Sequence, residues 1–84
     1  MPEQLIGKVT HYFDKISVAA IKLEGELKVG DQIHLLGHNA DLIQKVDSMQ
    51  VEGQEVSAAK AGDEIGLKVN AKAKEGAQVY LVTE

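Results

Sequence analysis

The chain contains no cysteine, no tryptophan and no arginine, only one proline, and only three aromatic residues among 84. Each shortage removes a class of answers. Without cysteine there is no disulfide framework and no thiolate metal cluster. A domain of this size must then hold together by packing alone, which is the habit of a cytoplasmic protein. Without arginine, and with nine lysines against thirteen acids for a net charge of −4, it lacks the basic excess and guanidinium forks of an autonomous duplex binder. Apolar runs stop at three or four residues, far below the roughly 20 of a membrane-spanning helix. Met1-Pro2-Glu3-Gln4 offers no basic start followed by an apolar stretch, so neither a membrane segment nor a signal peptide is expected. Three aromatics leave little with which to line a deep catalytic pocket, and a non-enzyme without cofactor or metal is expected.

What is present is ordinary in bulk and patterned in detail. Hydrophobic residues at 44% and charged residues at 26% suit a globular domain, and 84 residues allow one, over 1–84, hiding roughly 60–65% of the unfolded surface. Lys-x-Gly-x-x-(Ile/Val) occurs three times, in "LKVGDQI" (27–33), "AKAGDEI" (59–65) and "AKEGAQV" (73–79). Glycine tolerates the positive φ of a sharp turn, and the aspartates after Gly30 and Gly62 can accept from nearby backbone amides, so the motif is expected to start strands. Reading the three copies as phosphate loops would require a helix N-terminus behind each, whereas alternating residues follow. Ile33 and Leu35, then Ile65, Leu67 and Val69, then Val79 and Leu81 are expected to face inward. Earlier in the chain, Leu5, Val9 and Phe13 form one predicted face with Ile6 and Tyr12 opposite, and Ala19, Ile21 and Leu23 form another.

Two segments read differently. Leu42, Ile43, Val46 and Met49 fall at helical spacing, with Asn39 or Asp41 as a possible cap, and Gln54 to Lys60 is alanine-rich. Taken alone these leave an α+β domain open beside a barrel. His34, His38 and Asp41 would have metal-site spacing on a helix, but on a strand and turn the rings need not converge. The acid pairs Glu24/Glu26, Glu52/Glu55 and Asp63/Glu64 sit at turn tips, poor places for the desolvation a general acid needs. Lys68, Lys72 and Lys74 form a possible positive edge, and His11 beside Tyr12 could stack on a base.

The ordered pieces "LKVGDQIHLLG" (27–37), "QKVDSMQVEGQEVSAAKAGDEIGLKV" (44–69) and "KEGAQVYLV" (74–82) resemble the second, barrel domain of translational GTPases such as elongation factor Tu. They are still more similar to free-standing translation elongation factor-like proteins, and to the related domain that ends some collagenase-like peptidases. The resemblance implies an all-β fold, a closed six-stranded antiparallel Greek-key barrel, with residues 42–51 as one bulged strand. It also implies a role in protein biosynthesis as a binding module, RNA- or ribosome-associated through a larger partner, with Ser48, Met49 and Gln50 at the matching contact strand. A protein-interaction or structural module, like the terminal domain of the peptidases, is the alternative. The departures matter. No Gly-x-x-x-x-Gly-Lys-(Ser/Thr) loop occurs. The link between the first strands shrinks to Phe13-Asp14-Lys15, Ala19-Ala20 replaces an expected glycine, and Gln50 stands where the translation factors carry an acid. A sealed barrel leaves little free edge, so a monomer is expected.

Overall fold

The computed structural model describes residues 3–37, 40–70 and 73–82. Among these residues the fold is all-β and antiparallel, without a helix. The strands are β1 (Glu3–Phe13), β2 (Val18–Leu23), β3 (Leu27–Lys28), β4 (Gln32–Gly37), β5 (Ala40–Lys45), β6 (Met49–Val51), β7 (Gln54–Val56), β8 (Ala58–Ala59), β9 (Glu64–Lys68) and β10 (Gln78–Val82). Eight make one sheet in the order β5-β4-β10-β1-β2-β9-β6-β7, and β3 pairs with β8 as a ribbon.

The repeated turns behave as glycine chemistry demands. Asp31 N–H donates to the Lys28 carbonyl at 3.0 Å and Asp63 N–H to that of Lys60 at 3.1 Å, with Gly30 and Gly62 at φ +97° and +95°. Each aspartate carboxylate also accepts from the lysine amide three residues back, at 2.9 and 3.1 Å. A four-residue turn with positive φ at its third position needs glycine there. The third copy keeps Gly76 at φ +87° and the Ala77 N–H to Lys74 carbonyl bond, but Ala77 is buried. A carboxylate there would be desolvated, which accounts for the missing aspartate.

Alternation places Ala19, Ile21 and Leu23, Ile33 and Leu35, Ile65 and Leu67, and Val79 in one buried cluster, with Leu81 packed against it. Strand β1 departs from the expected faces: Ile6 and Val9 are buried and Tyr12 packs on the core, while Leu5 and Phe13 are exposed. Bulges between Leu5 and Gly7 against β10 and between Val9 and His11 against β2 reset the parity, so inward residues recur every third position.

Residues 42–51 are neither a helix nor one bulged strand. β5 pairs with β4, the chain breaks over 46–48, and β6 pairs with β9 and β7. Leu42, Gln44 and Val46 turn inward at period two, and the break brings in Met49, which imitates helical spacing. Gln54 to Lys60 becomes β7 and β8 despite its alanines, because Glu52 and Gly53, at φ +53° and +80°, fold β6 onto β7 through a two-residue turn of the type that hairpins favour. The expected closed six-stranded barrel is thus corrected to ten strands of two to eleven residues. Among the described residues no ladder joins β5 to β7, since the break at 46–48 ends one strand and starts another with different partners.

Candidate interaction site

On the outer face of β2, β9 and β6, Ala20, Gly66 and Gln50 stand side by side in register. Glycine and alanine leave the sheet surface low, while Ile16 and Val18 rise at one end and Lys68 stands across from Val18. A Cβ on Gly66 would lie 3.4 Å from Val18 Cγ1, so the hollow's floor is backbone. Ile16, in the β1–β2 link, is 61% exposed, an apolar side chain presented to whatever lies in the hollow. Through Ile16 the depression meets a second hollow lined by residues 11 to 16, and through Ser48 a third lined by Val29, Asp47, Glu55, Val56 and Ser57. These adjoining hollows form a row, here the trough, that presents apolar Ile16, Val18, Val29 and Val56 beside an amide at Gln50, a hydroxyl at Ser48, an ammonium at Lys68 and carboxylates at Asp47 and Glu55. Such a surface suits an extended peptide segment, whose side chains alternate between apolar contact and polar anchoring.

Ser48, Met49, Gln50 and Lys68 therefore meet around one hollow, although the Met49 side chain is fully buried and belongs to the core. His11 lines the neighbouring hollow, with Nδ1 2.8 Å from Glu75 and its ring edge-on to Phe13 at 4.4 Å between centroids. Lys74 sits in the turn 74–77, which is held to β1 by Gly76 N–H donating to the Val9 carbonyl; it does not line the trough. Lys72 and His38, and with them the full lysine edge and the proposed histidine pair, lie outside the described residues, as does Asn39.

His34 does meet Asp41, through Nε2, and its Nδ1 lies 2.9 Å from Glu3. Carboxylates only accept, so two such bonds require both ring nitrogens to carry protons. The bond to Asp41, then that to Glu3, hold the imidazole above its ordinary value of 6.5, against the opposing effect of burial. Among the described residues no group of three histidine, cysteine or acid side chains is arranged to hold a metal.

Gln44 had no signal in the sequence. It is buried on β5, accepts from Asn70 N–H at 2.8 Å and donates to the Lys68 carbonyl at 3.0 Å, tying β5 to the segment after β9. Ile16 was visible only as an apolar residue in an otherwise polar link.

No protein-family profile matches the chain. It is 40% identical over 80 residues, 94% of its length, to an uncharacterized protease of Methanocaldococcus jannaschii, and 35% identical over 77 residues to a collagenase of Porphyromonas gingivalis. The chain spans about a fifth of the length of these relatives. The C-terminal domain of a candidate U32 peptidase from Geobacillus thermoleovorans superposes with a TM-score of 0.89 at 18% identity, covering 95% of this chain and 93% of that one. Its selenomethionine variant gives 0.86 at 19%, covering 90% and 96%. These likenesses overturn the expected kinship with translation elongation factor-like proteins, and with it the RNA-binding role in protein biosynthesis and the RNA or ribosome-associated partner. The physical reason lies in the motifs that suggested them. Lys-x-Gly-Asp is a device for turning the backbone into a strand, so it reports how the chain folds and carries no information on what it binds. The fold is that of the C-terminal domain of the Geobacillus protein, and the sequence is similar to proteins named protease and collagenase.

Proposed function

We propose that this chain is a non-catalytic module that docks protein, in the manner of an accessory domain of a collagenase-like peptidase. One observation carries the reading: the likeness takes in nearly all of this chain but a fifth of each relative, so a unit with its own core corresponds to a small part of a much longer peptidase. The trough between Ile16 and Ser48 is the docking surface, with Gln50 and Lys68 as polar anchors and Ile16 and Val18 as apolar ones. The absence of cysteine supports a cytoplasmic setting. In this reading the curled sheet closes into a barrel through the ribbon: β3 pairs with β8 and Val29 N–H donates to the Ser57 carbonyl, while the bonds from Gly30 N–H to the Val46 carbonyl and from Val46 N–H to that of Asp31 carry the β4–β5 ladder on to the ribbon. Closure would keep the trough rigid.

The test is to add the chain in trans to the M. jannaschii relative from which the matching fifth has been removed, and to follow binding by calorimetry in low and high salt. Saturable one-to-one binding that tolerates salt, weakened at least about tenfold by Ile16→Asp, is expected, since a buried apolar anchor contributes on the order of 1–3 kcal/mol. In the same mixture gelatin cleavage should require the relative and never arise from the chain alone. Absence of binding, or cleavage by the chain alone, would overturn the proposal.

A further inference from the structure

The two free ends of the eight-stranded sheet are unlike. β7 has three residues, is bent back by the tight turn at Glu52-Gly53, and shows Gln54 and Glu55. β5 has six residues in unbroken register with β4, no proline or glycine, and no strand on its far side among the described residues. Its outward residues are Asp41, Ile43 and Lys45, with Ile43 53% exposed. Across the sheet from Ile43, the same outer row holds His34, Tyr80 and Leu5, and Leu5 is 42% exposed.

We propose that β5 pairs edge to edge with β5 of a second copy of this chain, antiparallel about Ile43. The order acid, apolar, base is self-complementary under a two-fold axis. In that register Ile43 meets Ile43 of the second copy, and Asp41 meets Lys45 of the second copy on both sides. Opposed Cβ atoms in antiparallel strands lie about 4.5–5.5 Å apart, within reach of both contacts. Charged residues on an edge strand ordinarily prevent self-pairing because like charges meet; here the pattern brings opposite charges together. Gln44, bonded to Lys68 and Asn70, fixes β5 in place before pairing. The outer row Leu5-Tyr80-His34-Ile43 then continues across the axis into its copy, covering the apolar groups at its edge. The expected monomer rested on a barrel with no free edge, and closure through the ribbon still leaves β5 with no strand on its far side among the described residues. This inference stands apart from the docking trough, which lies on other strands.

Sedimentation velocity on the chain from about 5 to about 500 µM spans the range in which such an interface would associate. A concentration-dependent dimer is expected for the native chain. Lys45→Asp and Asp41→Lys each replace two attractions by two repulsions, and each should weaken dimerisation at least about tenfold. Mixed one to one, the two variants should recover it, because one then carries lysine and the other aspartate at both positions. Ile43→Cys, in a chain with no other cysteine, should form a disulfide-linked dimer under mild oxidation, whereas Ile16→Cys, at a more exposed position away from β5, should not. A native monomer throughout, a dimer indifferent to either charge change, a mixture no better than its components, or equal cross-linking at 16 and 43 would each overturn the proposal.

Discussion

Strand β1 divides the sheet into two halves that agree inside and differ outside. On the β2–β9–β6 side the outward residues of the ladder are small or polar apart from Val18: Ala20, Gly66, Gln50, Lys22, Glu64 and Lys68. On the β10–β4–β5 side larger apolar groups, Tyr80, Leu36 and Ile43, gather around His34, with the charges of Asp41 and Lys45 flanking Ile43. Inward, both sides present isoleucine, leucine and valine to one cluster. Burial thus explains the inner pattern without distinguishing the halves. The outer pattern is under no such constraint, and the halves differ there: one carries a hollow over Ala20 and Gly66, the other exposed apolar groups and one bridged histidine.

The sharpest way to break that comparison is to remove equal volume from the shared core on each side. Ile21 on β2 and Ile33 on β4 are both fully buried. Isoleucine to alanine in a packed core costs about 2–5 kcal/mol, a large share of the roughly 4–13 kcal/mol expected for a domain of this size. Urea unfolding of Ile21→Ala and Ile33→Ala should show comparable losses in a single transition. A full loss at 21 with less than about 1 kcal/mol at 33 would mean that the two halves do not share a core.

A smaller effect separates two glycines. Gly7 lies at the β1 bulge, and a Cβ there would stand 2.7 Å from the Lys22 carbonyl oxygen and 3.0 Å from Ile21 Cγ2. The obstacle is backbone, so Gly7→Ala should cost about 1–3 kcal/mol by forcing β1 and β2 apart. Gly66, in the hollow, meets only Val18 at 3.4 Å and has no positive φ. Gly66→Ala should be neutral or stabilise by up to about 0.5–1 kcal/mol, since alanine loses less backbone entropy. Thermal melts of the two variants read the difference directly. Equal losses would mean that the hollow is as tightly packed as the strand crossing.

The same contrast shows what could be read in the sequence. The strand starters were legible because a positive-φ turn admits glycine almost alone, and a cap at its end needs an acceptor such as Asp31 or Asp63. The inward sets on β2, β4 and β9 were legible because unbroken strands keep period two. β1 was misread because a bulge adds one residue without any compositional mark. The segment 42–51 was ambiguous because a strand break shifts parity as a helix would. At the site, Ser48 and Gln50 were named from a resemblance and Lys68 from a run of lysines, and the three line one hollow. Glu3, which completes the His34 pair from 31 residues away, had no local signature. The RNA or ribosome-associated partner was misread, since turns carry folding information and no recognition chemistry, whereas the alternative of a peptidase-type module agrees with the relatives.

The smallest effect, and the one that sharpens the outer face most, is the dependence of stability on pH through His34. The groups facing it are Glu3 from β1, Asp41 from β5 and the Tyr80 ring from β10, 6.4 Å away between centroids. Both carboxylates favour the imidazolium, so its folded pKa is raised above the ordinary 6.5. Folding then takes up protons, and the contribution is complete below the unfolded value and fades as pH rises through the folded one. His34→Gln keeps the hydrogen-bonding size but cannot be charged. Urea unfolding of the native chain and His34→Gln should differ most below the ordinary imidazole value, near pH 5.5, and converge as pH rises through the folded one. A gap that widens with rising pH would reverse the sign and mean that His34 sits neutral between its two acids. The Tyr80→Phe variant, losing only the hydroxyl that donates to Gln78, should leave the profile unchanged and so assign it to the bridge between β1 and β5.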